Sequence, residues 1–395
     1  MSASAREEGG STPRPSLAEL FLAFLRLSLL GFGGPQAHLA LMLDDVVERR
    51  RWITREHFLQ LVGVTNLIPG PNSSEVAIHI GYTQRGWVGA LVTGSAFLVP
   101  TFLIVLALSW LYFGYGALPS AEALLWGIKP AVLAVIVWAG VRLGRVALTD
   151  PLTGALGAVG ALVAWLAGSW SAPAMLLGGA VTWARWRAKH PPEASADPRL
   201  PRAAALPLLP LAGLALPAAL SGALATVFLV HLGIGSVLFG GGYVLVALLQ
   251  PYAVERFAWL SASAFLDGVA LTQAVPGPIS TLAAFVGYAA AGVPGAILAT
   301  AGIYLPAFAA VLLTAPHLER TREMAPMKAA LDGVSAVVAG AIVGVAAGLL
   351  PAAVPDAWAI AVFALALVAV ARFGVASVWI VLAGLVTGLI RLTIG

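Results

Sequence analysis

There is no cysteine among the 395 residues, which excludes disulfides and thiolate metal sites. Charge is scarce: Asp, Glu, Lys and Arg together make up 10% of the chain, against about 25% in soluble domains. The first fifteen residues are polar and hold no apolar h-region, so no cleaved signal peptide is expected. No His-Glu-x-x-His pattern and no convincing Ser–His pair occur, and His38, His79 and His231 are scattered without metal-ligand spacing, which suits packed or interfacial histidines or, alternatively, a proton relay. The sequence therefore implies no metal and no cofactor, and an enzyme is not the expected reading. What is present is apolar: 60% of residues, a mean hydropathy of +0.92, and several runs that approach the ~20 residues needed to span a bilayer. The chain reads as an all-α polytopic membrane protein with the lipid bilayer as its partner. Its net charge of +4 fits cytoplasmic Lys and Arg better than a nucleic-acid surface. Trp52, Trp87, Trp110, Trp126, Trp183 and Trp259 suit interface anchors.

Five stretches divide the chain. Residues 1–15 are a polar tail, 16–187 a first transmembrane half, 188–203 a polar Pro-rich linker, 204–220 an extra apolar segment and 221–395 a second half. Within the first half, 17–48 is apolar and broken at Gly31–Pro35. Residues 57–83 are two short arms around Pro69-Gly70-Pro71, expected as a re-entrant hairpin. Spanning helices are expected near 87–113, 120–146, 150–168 and 171–186. The second half repeats the first. At an offset of 207, Phe32-Gly33-Gly34 meets Phe239-Gly240-Gly241, Glu48-Arg49 meets Glu255-Arg256, Trp52 meets Trp259 and Pro69-Gly70-Pro71 meets Pro276-Gly277-Pro278. One deletion later, Gly81-Tyr82 meets Gly287-Tyr288 and Pro100 meets Pro306.

Charge predicts that the halves are inverted. Arg49, Arg50, Arg51, Arg55 and Arg85 flank the first hairpin, whereas its counterpart has only Arg256. Loop 114–121 has no Lys or Arg, whereas its counterpart 315–328 has Arg320, Arg322 and Lys328. Equivalent loops with opposite bias belong on opposite sides of the membrane. Arg142, Arg145, Arg185, Arg187 and Lys189 then fall inside. Segment 17–48 either crosses once or re-enters; re-entry places the N-terminus inside, has 204–220 cross alone and leaves the C-terminus outside.

The duplicated Pro-Gly-Pro is the strongest local signal. Pro69 and Pro71 cannot donate backbone hydrogen bonds, and Pro71 suits the first turn of a helix. A helix beginning there offers free N–H groups and a positive dipole end, which together favour an anion. Asn72, Ser73 and Ser74 add polar groups at the first copy, Ser280 and Thr281 at the second. Asn66 and Gln273 stand three positions before each break. Matched interruptions in two halves mark a midplane binding site; a mere Pro kink is the alternative. Gly33, Gly34, Gly240 and Gly241 allow close backbone approach to an anion or, equally, a tight turn.

Charges within apolar segments are functional suspects. Lys129 and Arg26 could neutralise a bound anion or snorkel to the interface. Glu75, in the first turn after Pro71, either complements the helix dipole or couples protons to anion movement. Asp267 and Asp332 invite the same proton-coupling question.

The motifs at 32–35, Trp52, Asn66–Pro71, Gly81-Tyr82 and Phe265–Pro278 together resemble the chromate ion transporter (CHR) family in its long two-domain form. The resemblance covers nearly the whole chain, with one departure: Gly242 stands where the first half has Pro35. It implies a secondary transporter in the bacterial plasma (inner) membrane that exports chromate, driven by the proton-motive force, with sulfate as a related or competing solute. Alternating access around both Pro-Gly-Pro breaks is the expected mechanism. Another anion on the same fold, and an intramembrane enzyme, are the alternatives; a homodimer is left open.

Overall fold

The computed structural model describes residues 14–115, 125–190, 222–316 and 325–394. Segment 204–220, residues 191–203 of the linker, and Arg320 and Arg322 lie outside the described residues. Within them the regular structure is helical, with fourteen α-helices and no strand.

The first half has seven helices. Helix α1 (Leu17–Leu30) starts at a capping box, in which the Ser16 side chain and Glu19 satisfy each other's backbone N–H. It stops at Gly31. Helix α2 (Pro35–Met42) follows and loosens into a π-turn over Leu43–Arg49. Thr54 caps α3 (Arg55–Thr65). The 66–71 turn then leads into α4 (Asn72–Tyr115), which breaks at Arg85–Gly86. Helices α5 (Ile128–Ala147), α6 (Pro151–Leu166) and α7 (Ser171–Lys189) complete the half.

The second half repeats this series as α8 (Ala223–Ser236), α9 (Gly242–Gln250) with a π-turn over Pro251–Arg256, α10 (Ala262–Ala274), α11 (Leu282–Thr314), α12 (Ala325–Ala353), α13 (Ala357–Phe373) and α14 (Ser377–Ile394). The agreement reaches backbone angles. Gly86 in α4 and Gly292 in α11 share φ 61° and ψ −151°, a left-handed conformation that glycine tolerates. Gly242 begins α9 as Pro35 begins α2, each directly after a positive-φ glycine. The departure at this position therefore leaves the backbone equivalent.

Hydrogen bonds at the helix ends establish which elements return to their own side. Arg85 donates to the Pro15 carbonyl at 2.8 Å, and neighbouring Gln84 donates to the Trp52 carbonyl at 2.8 Å. Both ends of 17–48 thus meet the same point of α4, so this segment is a re-entrant hairpin. His57 and Thr83, 3.4 Å apart, close the 57–83 hairpin in the same way. The long arm of α4 after Gly86, and α5, are then crossing elements. Among the described residues, four helices, α4, α5, α11 (with the 3-10 turn before it) and α12, are long and apolar enough to cross a membrane.

The inversion is visible along α5. Arg185 binds Asp150 at 2.7 Å, three residues beyond the C-terminal end of α5. Its equivalent, Arg391, binds Asp356 at 3.0 Å and lies 3.9 Å over the ring of Trp126, next to the N-terminal end of α5. The 20 residues of α5 span about 30 Å. Equivalent arginines therefore occupy opposite faces of the protein.

Helix α12 is the hub, packed against α5, α6 and α7. Small residues permit this: a Cβ on Gly340 would collide with the Gly157 carbonyl, and one on Gly160 with that of Val337. The hairpins of the first half bury Leu20, Phe24, Met42, Phe58, Leu61, Ile80 and Phe97 in a separate apolar cluster.

Candidate functional site

The two Pro-Gly-Pro turns meet in the interior. Each reaches into the other half, and the contacts are reciprocal. The Gly70 N–H donates to the Leu238 carbonyl at 2.7 Å, and the Gly277 N–H donates to the Gly31 carbonyl at 2.8 Å. Leu238 is the repeat equivalent of Gly31 at the offset of 207. Each turn also leans on the crossing helix of the opposite half: Thr101, midway along the long arm of α4, donates to the Pro276 carbonyl at 2.9 Å. A Cβ on Gly70 would lie 2.7 Å from that of Ala307, which follows Pro306 as Thr101 follows Pro100. The turns thus sit against the middle of two helices that are long and apolar enough to cross a membrane.

Their conformations require glycine. Gly70 has φ 151° and Gly277 φ 104°. The Gly33-Gly34 and Gly240-Gly241 turns repeat the pattern, with φ of 103° and 84° in the first and 93° and 108° in the second. Gly34 and Gly241 are buried, whereas Gly33 and Gly240 are exposed.

The polar side chains divide unevenly. Ser73 is buried and its hydroxyl lies 3.2 Å from His38 Nδ1; His38 Nε2 lies 2.9 Å from the Gly31 carbonyl. Ser280 is buried and bonds the Tyr304 hydroxyl at 2.5 Å. Ser74 lies beside the same tyrosine without a bond of good geometry. Tyr304 of α11 thus bonds the turn before its own helix and faces the start of α4. Thr281 donates back to the Pro278 carbonyl at 2.8 Å. Glu75 is fully buried, with both carboxylate oxygens lacking a hydrogen-bond partner among the described residues. A Cβ on Gly70 would lie 2.5 Å from Glu75 Oε1, so the carboxyl folds back towards the turn.

The matched amides differ. Gln273 is buried and its Oε1 is 3.5 Å from the Tyr243 hydroxyl. Asn66 is exposed, donates to the Val62 carbonyl at 3.0 Å and accepts from Asn72 at 2.6 Å.

The remaining charged suspects lie apart from the breaks. Lys129 sits in the first turn of α5, 3.7 Å from Asp267 Oδ2, which also accepts from the Tyr112 hydroxyl at 2.8 Å. These groups tie α5 and the outer end of α4 to α10. Arg26 is exposed on α1, and Asp332 is exposed near the start of α12. No group of three or more His, Cys, Asp or Glu side chains able to hold a metal occurs among the described residues.

Thr101 and Tyr304 are the residues that the sequence left without a role, and the Ser73 partner of His38 was not foreseen. His38 and Ser73 are 35 positions apart, so the pair has no local signature. Tyr304 stands two residues before Pro306 in the repeat, which was the available signal.

Matched broken helices in two homologous halves of a helical membrane protein are an arrangement that transporters use. The chain belongs to the chromate transporter family, whose model matches residues 18–184 and 225–389. It is 34% identical over 343 residues to the chromate transport protein of Cupriavidus metallidurans, covering 85% of this chain and 82% of that protein. It is 35% identical over 339 residues to the chromate transport protein of Pseudomonas aeruginosa, covering 84% and 80%. An uncharacterized transporter of Bacillus subtilis, YwrA, is 30% identical over 122 residues, 30% of this chain and 68% of its own length. No solved structure matches. The protein is a membrane transporter and not an enzyme.

Proposed function

We propose that this protein exports chromate across the bacterial plasma membrane by alternating access, with the oxyanion held between the starts of α4 and α11. One observation carries this reading: the two broken-helix starts are held together by the reciprocal Gly70 and Gly277 hydrogen bonds. A tetrahedral dianion loses a large hydration energy on burial and needs donors in its place. Two positive helix ends, the Ser73, Ser74 and Ser280 hydroxyls, the buried Gln273 amide and the glycine-turn N–H groups supply them. Rocking of one half against the other about the reciprocal bonds exposes the site to each side in turn.

Glu75 links the cycle to protons. A carboxylate beside a dianion in a dry site is repelled, so anion binding favours the neutral acid. Proton and anion are therefore loaded together, and one net negative charge leaves in place of two. The electrical component of the proton-motive force drives that charge outward at ~2.3 kcal/mol per 100 mV. Sulfate, a tetrahedral dianion of similar size, competes for the same donors. Lys129 and Asp267 support the scaffold around this site, and Arg26 and Asp332 stay outside it.

The test is radiolabelled chromate uptake into energised everted vesicles. Uptake that collapses when valinomycin and potassium remove the potential, survives when nigericin removes the pH gradient, and is lost in Gly70→Leu/Gly277→Leu supports the reading. Uptake that is indifferent to the potential, or normal in the double glycine variant, overturns it.

A further inference from the structure

The first half contains a device that the second lacks, built on His38. This histidine stands in the first turn of α2 and is buried, with its ring edge on Phe97 at 5.2 Å between centroids. Both ring nitrogens are engaged. Nε2 faces a carbonyl, that of Gly31, which can only accept. Nε2 therefore carries a proton, and in the neutral ring Nδ1 must accept from the Ser73 hydroxyl. The same Gly31 carbonyl also receives the Gly277 N–H of the opposite half. A side chain at Gly31 would collide with the His38 ring, and Gly31 has φ −79°. This glycine is thus required by the close approach of His38 and not by its backbone angle. At the equivalent second-half positions stand Leu245 for His38 and Leu238 for Gly31.

We propose that His38 is a positioning residue that switches Ser73 between accepting and donating at the start of α4. In the neutral ring, the Ser73 proton points at Nδ1, and the hydroxyl presents only lone pairs to the helix start. When Nδ1 takes a proton from the aqueous phase, the N–H donates to Ser73 Oγ, and the hydroxyl proton turns outward to an oxyanion. No covalent bond changes except that N–H. Proton binding at His38 thus raises anion affinity, while its Nε2–H continues to hold the Gly31 carbonyl that clamps the opposite turn. This inference rests on the start of α4 being part of the anion site.

The charged and titratable groups on the elements packed against α2 leave this switch to His38 and Glu75. Glu19 and Arg26 of α1 are exposed. In the π-turn and after it, Asp44 pairs with Arg49, Asp45 with Arg50 and Glu48 with Arg55. On α4, Arg85 is held by backbone carbonyls, and Tyr112 bonds Asp267 near the far end. His79 follows Glu75 by one turn, and Tyr82 and Tyr115 lie further along.

The experiment measures chromate KM against pH in proteoliposomes for the wild type, His38→Gln, Ser73→Ala, the double variant and Glu75→Gln. Chromate itself titrates, so the readout is the ratio of variant to wild-type KM at each pH, in which the substrate's own protonation cancels. The ratio for His38→Gln is expected to rise about tenfold on the acid side relative to the alkaline side, the worth of one hydrogen bond to a charged ligand. Ser73→Ala is expected to show the same profile, and the double variant to add nothing further. Ratios independent of pH in both single variants overturn the proposal; should His38→Gln fail to fold, Ser73→Ala decides it alone. If Glu75→Gln shifts KM while the His38 and Ser73 ratios stay flat, only this inference fails. If none of the three shifts KM, the placement of the site at the start of α4 fails with it.

Discussion

Gly277→Ala tests the packed centre of the molecule most directly. Two costs can be worked separately. At φ 104° an L-residue is in left-handed territory, worth about 1–2 kcal/mol. The new methyl would also land on the Thr101 hydroxyl, 2.9 Å from Thr101 Cβ and 3.0 Å from its Cγ2. Overpacking of this kind costs about 1–3 kcal/mol. The sum is roughly 2–5 kcal/mol, a large share of a typical folding free energy. Gly374→Ala provides the control. It has φ 64° and nothing within 4 Å of the added carbon, so only the backbone cost applies. Removing the obstruction with Thr101→Ala should recover the steric part, less about 0.5–1.5 kcal/mol for the lost bond to Pro276. SDS-titrated unfolding in mixed micelles, followed by helicity, gives the four free energies of the Gly277/Thr101 cycle. A Gly277→Ala cost equal to that of Gly374→Ala, with no coupling to Thr101, would refute the interlocked turns.

Two further outcomes are expected. Lys129→Met alone removes the cation 3.7 Å from the buried Asp267 carboxylate and should destabilise by about 3–5 kcal/mol, whereas Lys129→Met/Asp267→Leu should regain most of that; equal losses in both would show that the pair is not a structural unit. Arg26→Gln, on an exposed face of α1, should change chromate KM by no more than about twofold. A tenfold loss would bring Arg26 back to the anion.

The sequence revealed the repeat, the broken helices and the inverted charge bias because each leaves a local trace. Proline and glycine interrupt an apolar run, and arginines mark a face. Re-entry of 17–48 was undecidable from apolar length alone; it became clear only when Arg85 and Gln84 were seen to hold both ends of that segment. Lys129 was read as a lone cation because its partner lies 138 positions away, on the other half. Asn66 and Gln273 match in register but not in burial, since the repeat of the backbone does not extend to the side chains around it. His38 could be read only as a packed or proton-relay histidine for the same reason as Lys129: burial and a distant hydroxyl give it its contacts, and neither is written nearby.

The reciprocal bonds of Gly70 and Gly277 use only main-chain atoms. Substitution cannot erase a peptide N–H unless proline replaces it, so this joint tolerates different side chains in the two halves. One half has a buried acid at Glu75 and an imidazole at His38, while the other has apolar side chains or hydroxyls at the corresponding places. The joint between the halves is thus matched in both copies, while the buried Glu75 and His38 beside it belong to the first half alone.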